Sequence, residues 1–169
     1  MHLWPSFIPS SELNMKLHMY CLNEQLVFCV PYSIFTKIGN MKKKVIVHPQ
    51  RELSFVTGAY SDGVLVDGLL FVSGQASVDF TTSKFMLGSI EEETIRTMDN
   101  IKAIIESAGA TMDDVVKCTA HLADINDFER YNKVYATYFS GIKPARTTVQ
   151  SVLAENIKVE IDAIVKMPI

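Results

Sequence analysis

Along most of this chain the spacing of apolar positions alternates between two periods, and each switch predicts an element boundary. Residues 44–48 form a first strand-like run, rich in β-branched side chains. Residues 63–67 and 69–73 form two more, flanking Asp67-Gly68. An Asp-Gly pair between β-rich runs predicts a tight hairpin, because a type I′ turn needs positive φ at both central residues. A looser stretch covers 78–88. The period then becomes helical. Ser89 and Glu92 have capping-box spacing, Gly109 fits the position just beyond the C-terminus, and Ile95, Met98, Ile101, Ile105 and Ala108 make a buried stripe. Alternation returns over 114–122, with Val116, Cys118, Ala120 and Leu122 on one face and Lys117, Thr119 and His121 on the other. A second helix starts at Asn126, with Glu129 in the capping-box position, and ends at Gly141. Phe128, Tyr131, Tyr135, Tyr138 and Phe139 are its apolar stripe. Strands at 146–153 and 157–165 close the chain.

One early strand followed by ββ-α-β-α-ββ predicts an α+β fold with two helices packed on one face of a mixed six-stranded sheet. Residues 1–40 stand apart: they hold no sustained period and lack the basic start of a signal peptide. The functional domain is expected over 41–169, with 1–40 a poorly ordered extension or a mis-assigned start. A native protein whose sequence begins before residue 40 would refute the latter.

Composition narrows the function. The 169 residues suffice for one core, and 48% are apolar and 21% charged, an ordinary globular balance. The net charge of −3 argues against a dedicated nucleic-acid binder. No apolar run reaches the length of a membrane span, so no membrane partner is expected. Cys21, Cys29 and Cys118 have no metal-ligand spacing, and free thiols suit a reducing, cytoplasmic setting. The histidines form no metalloprotease pair, and phosphate-binding and nucleophile-elbow glycine motifs are absent. Strand parity puts Cys118 and His121 on opposite faces, which argues against a thiol–imidazole pair.

Three features resist a purely structural explanation. Asn132 shares the apolar face of the second helix, where a buried amide needs partners, although it could simply cap a strand end. Gly74 sits where a strand ends, which would let a ligand approach backbone N–H groups. Arg146 stands at the mouth of a strand, either in an ion pair or as an anion site. If the last two strands form a hairpin with a three-residue loop, Ala154 to Asn156, then Arg146, Thr148, Gln150, Glu160 and Asp162 project from one side.

Several blocks, in order, resemble the RidA (YjgF) family of imine and enamine deaminases. GAYSDGVLVDGLLFVSGQ (58–75) is similar to the family's GPYSQ…G…FVSGQ. TMDNIKAIIESAGATMDDVVKCT (97–119), DFERYNKVYATYF (127–139), PARTTV and KVEIDAI match further family blocks. The resemblance implies a chorismate-mutase-like fold, a homotrimer with a central barrel, and clefts between subunits. It implies hydrolysis of 2-iminobutanoate and 2-iminopropanoate, formed from 2-aminoacrylate and its homologue, to 2-oxo acids and ammonia, without cofactor or metal. It places the carboxylate-binding arginine at Arg146, the catalytic glutamate at Glu160, and supporting contacts at Tyr60, Ser73, Gly74 and Asn132. Thr148, where some members carry a cysteine, is expected to act with Arg146 and Glu160 by orienting the attacking water. Ala59 and Asp62 replace the usual Pro and Gln, so Asp62 could alter the cleft's charge. The segment before Glu160 is one residue short, which bears on that residue's placement. The competing readings are a ribonuclease or translation inhibitor, and a non-catalytic trimer that binds small carboxylates or acts as a chaperone.

Overall fold

A computed structural model describes residues 19–22, 25–28, 42–51 and 58–168. It divides the chain into two units, Met1–Asn40 and Met41–Ile169. In the first, β1 (Met19–Leu22) and β2 (Gln25–Phe28) pair antiparallel, two short strands that the sequence pattern does not predict. The rest of the expectation for residues 1–40 lies outside the described residues.

The second unit is built on a six-stranded sheet. Its strands are β3 (Lys44–Ile46), β4 (Gly63–Val66), β5 (Leu69–Gln75), β8 (Val115–Leu122), β9 (Ala145–Gln150) and β10 (Val159–Lys166). The small β6 (Val78–Asp79) and β7 (Lys84–Phe85) pair with each other beside it. In space the order is β3-β4-β5-β10-β8-β9. Only the β8–β9 contact is parallel, so the sheet is mixed. At the β4–β5 hairpin Asp67 and Gly68 have φ of 50° and 73°, the two positive values that the Asp-Gly pair predicts.

Helix α1 (Ile90–Ser107) starts on the full Ser89–Glu92 capping box. It buries Ile90, Thr94, Thr97, Met98, Ile101, Ile104 and Ile105 against the sheet. Ile95, expected in that stripe, is 43% exposed, because the stripe runs through Thr94 and Thr97 instead. Thr94 can be buried because it donates its hydroxyl to the Ile90 carbonyl at 2.6 Å. Helix α2 (Phe128–Ala136) is shorter than expected and lacks the Glu129 capping box. Asp124 caps the preceding 3₁₀ turn instead, accepting from Asn126 N–H at 2.9 Å. Glu91 ties the two helices together by accepting from Arg130 Nε at 2.8 Å and Nη2 at 2.6 Å.

Both helices cover one face of the sheet, and Val159, Ile161, Ala163 and Val165 of β10 form its buried spine. Two expectations of strand geometry fail. Val116 is 47% exposed, because a bulge pairs Val165 with Val115 and Ile164 with Lys117, leaving Val116 as the extra residue. The final two strands form no hairpin: β8 lies between β10 and β9. On the face opposite the helices, Val45, Val64, Phe71 and Ile164 line up in one row across four strands. Val45 is 55% and Phe71 43% exposed there.

Candidate functional site

The register of β5 against β10 creates the first part of the site. Ile161 pairs with Gln75 and Ala163 with Val72, so Ser73 and Gly74 together face Asp162. This β-bulge breaks the alternation and re-aims the end of β5. Gly74 is exposed, and the Glu160 side chain stands directly over it. A Cβ at position 74 would collide with the Glu160 carboxylate, with Cδ 3.1 Å and Cγ 3.3 Å away. Tyr60, Ser73, Gly74 and Glu160 line a single cleft of about 620 Å³, with Phe80 and Phe85 as apolar walls.

Gly74→Ala should therefore displace the glutamate while leaving the strand intact. Its exposed position tolerates a methyl group apart from that one flexible neighbour. We expect an unchanged melting temperature and, for any reaction that Glu160 carries, a loss of about tenfold to a hundredfold in kcat/KM, since small misplacements of a reacting group are costly. Wild-type turnover in this variant would show that the close approach has no catalytic role.

The cleft wall is stitched to this bulge. Ser73 N–H donates to the Asp62 carbonyl at 2.9 Å, and Ser73 Oγ to the Ser61 carbonyl at 2.7 Å. Asp62 itself is buried. Its carboxylate accepts from His48 N–H at 2.8 Å, Arg51 Nε at 2.7 Å and Arg51 Nη2 at 2.5 Å. The replacement of the family's usual glutamine thus adds no uncompensated charge, because Arg51 pairs with it in a fork. The Arg51 guanidinium lies 4.6 Å from the centre of the Phe80 ring, against which His48 stacks at 3.9 Å. Burial lowers the His48 pKa, the Arg51 charge lowers it further, and Asp62 acts in the opposite sense. Sequence reasoning misses Arg51 as a lining residue. Its pairing with Asp62 spans a segment without periodicity, and the unusual aspartate is the only signal.

Two buried polar side chains on α1 hold the cleft's edges. Asn100 donates to the carbonyls of Ala76 and Val78, both at 3.0 Å, fixing the chain just after β5. Glu93 accepts from Gly88 N–H at 3.0 Å and from Lys158 N–H at 2.7 Å. The short loop before β10 turns through Glu155 and Asn156 at φ of 55° and 58°, and the Glu93 tether fixes the chain two residues before Glu160.

Arg146 and Thr148 lie elsewhere. They sit on β9, at the sheet edge, and face α2. Glu160 and Asp162 point to the opposite face, as the buried positions of β10 on either side of them require. The expected common face for Arg146, Thr148, Glu160 and Asp162 is therefore corrected by the intervening β8. Glu160 pairs with His121, which pairs with Val149, three residues along from Arg146. Strand spacing and rise put the Arg146 and Glu160 backbones roughly 14 Å apart in one chain. Arg146 has no carboxylate partner among the described residues. Its guanidinium rests on the rings of Phe128, Tyr131 and Tyr135, at 5.4, 5.4 and 4.6 Å from their centres. Thr148 Oγ1 is buried without a hydrogen-bond partner among the described residues. Asn132 is on α2 beside Tyr131, half-buried rather than enclosed as its periodicity suggests.

One chain thus carries two candidate half-sites: a glutamate and glycine in a cleft on the sheet face opposite the helices, and an arginine on an aromatic bed at the sheet's edge. This sheet order, with both helices on one side, defines the chorismate-mutase-like α+β class. The chain belongs to the RidA (YjgF) family: the sequence profile described as Endoribonuclease L-PSP matches residues 52–167. A RutC family protein of Saccharolobus solfataricus is 49% identical over 108 residues, 63% of this chain and 86% of that one. The 2-iminobutanoate/2-iminopropanoate deaminase of Rattus norvegicus is 43% identical over 108 residues, 63% of this chain and 79% of that enzyme. The crystal structure of E. coli TdcF with bound serine superposes with a TM-score of 0.68 at 29% identity, covering 74% of this chain and 99% of that one. Among the described residues, no helix is long and apolar enough to cross a membrane.

Proposed function

We propose that this chain is a 2-imino acid deaminase whose clefts are completed by a second copy, within a homotrimer. Arg146 carries this reading. It is a permanent cation, half-buried on three aromatic rings, with no carboxylate partner among the described residues. Such a group is suited to receive an anion. Glu160 is too far away in its own chain to act on the same small molecule, so a neighbouring copy must supply it. The apolar row Val45, Val64, Phe71 and Ile164, exposed at Val45 and Phe71 and half-buried at the other two, offers the face on which copies would pack.

In the shared cleft Arg146 grips the substrate carboxylate through a bidentate pair, and the backbone N–H at Gly74 supports the same end. Glu160 accepts a proton from a water that Thr148 orients, and the water oxygen bonds to the iminium carbon. The resulting tetrahedral carbinolamine loses ammonia as Glu160 returns the proton to nitrogen. The C–N bond breaks, the hydroxyl proton passes to the now unprotonated Glu160 and from it to solvent, and the carbonyl of the 2-oxo acid forms. Tyr60 and Asn132 close the cleft around the substrate. An iminium ion is already electrophilic, so orientation and one placed water supply most of the rate. A polyanion such as RNA fits poorly beside Glu155 and Glu160 in a chain of net charge −3.

The test is a coupled assay in which a dehydratase makes 2-iminobutanoate from threonine in the presence of semicarbazide. The protein should divert imine from the semicarbazone to 2-oxobutanoate in proportion to its concentration. Unchanged trapping at all protein concentrations would contradict the proposal. The same assay gives kcat/KM for every variant below.

A further inference from the structure

Buried hydroxyls without partners are costly, because desolvation is not offset by a hydrogen bond. Among the described residues there are four such side chains, Thr97, Tyr131, Tyr135 and Thr148. Three of them gather around Arg146. The Tyr135 hydroxyl turns toward the Cys118 thiol. The Tyr131 hydroxyl lies close to Arg146 and Thr148 but makes a hydrogen bond of full length and angle with neither. Tyr131 is fully buried, with 0% exposure. Burial raises its pKa to about 12, so the hydroxyl keeps its proton. Phenylalanine and valine at 131 and 148 would pack the same space with no unpaired groups. Groups that cost folding energy and surround a lone cation point to a use in the bound state.

We infer that Tyr131 is a positioning residue for Arg146, its hydroxyl accepting a guanidinium N–H when a substrate carboxylate draws the arginine into its working orientation. Thr148 then receives the Tyr131 hydroxyl proton as a hydrogen bond, so both orphan groups find partners at once. The ring of Tyr131 continues to support the cation from below. This rests on Arg146 being the carboxylate anchor.

The experiment compares wild type with Tyr131→Phe, Thr148→Val and Arg146→Ala. It measures thermal unfolding of the ligand-free protein and calorimetric binding of 2-oxobutanoate. Tyr131→Phe should melt at or above the wild-type temperature, yet bind 2-oxobutanoate at least about tenfold more weakly, the worth of one hydrogen bond to a charged group. Thr148→Val should show the same split, and it gives the readout if Tyr131→Phe does not fold. A lower melting temperature with unchanged affinity would make Tyr131 a packing residue and overturn the inference. Unchanged affinity in Tyr131→Phe beside lost binding in Arg146→Ala would overturn the inference alone. Intact binding in Arg146→Ala would remove the anchor on which it rests.

Discussion

Arg146→Ala should lower kcat/KM for 2-imino acids by about two to three orders of magnitude while leaving the fold intact, because it removes one partner of a desolvated charge pair. The asymmetry between function and stability follows from the site. Arg146 makes no ion pair with the described residues, so its loss orphans no carboxylate among them. What the free protein loses is contact with three rings, worth about 0.5–2 kcal/mol. What the substrate complex loses is both N–H bonds of the fork. Arg146→Lys should recover little, because an ammonium cannot span two carboxylate oxygens in one plane. The coupled imine-trapping assay and a urea titration on the same preparations check both halves. Full activity in Arg146→Ala would remove the anchor from the account.

Glu160→Gln should have a comparably large effect through a different parameter. The amide keeps the shape that stands over Gly74 but can no longer take a proton from water. We expect kcat to fall by about a hundredfold to ten-thousandfold, the usual range for a general base, with KM little changed. Arg146→Ala, by contrast, should lose substrate binding as well. If Glu160→Gln raised KM and left kcat untouched, Glu160 would be a binding group rather than the base. Gly74→Ala should cost less than either, because it moves the carboxylate without removing it.

Features set by neighbours along the chain are legible in the amino-acid sequence. Asp67-Gly68 marks its hairpin because positive φ is a local demand, and Ser89 with Glu92 marks the start of α1 because the cap is a local exchange of hydrogen bonds. Strand partners are not legible in the same way. Parity assigns a face within one strand but does not say which strand lies beside it. The short link between β9 and β10 suggests a hairpin, yet β8 intervenes and turns Arg146 and Glu160 to opposite faces. Val116 misleads for a related reason, since one bulge residue inverts every parity argument beyond it. Ile95 and Thr94 trade roles because a threonine that bonds its own helix backbone can be buried, and apolar counting ignores that. The candidate site is legible as a set of residues and not as an arrangement. Arg146, Glu160, Gly74 and Asn132 stand out by residue type and position, strand parity adds Thr148 beside Arg146, and family resemblance adds Tyr60 and Ser73. Arg51 does not stand out, because its meaning comes from Asp62, eleven positions away.

That arrangement, two partial sites per chain, is the core of the account, and subunit mixing tests it most directly. Arg146→Ala and Glu160→Gln proteins, each inactive alone, should be combined in equal amounts, dissociated in mild denaturant and reassembled. If every cleft takes Arg146 from one copy and Glu160 from the next, random assembly leaves about one cleft in four with both residues intact. The imine-trapping assay should then recover about a quarter of wild-type activity, with each parent carried through the same cycle remaining inactive. Reassembled mixed oligomers without activity would contradict the account and place the whole site within a single chain.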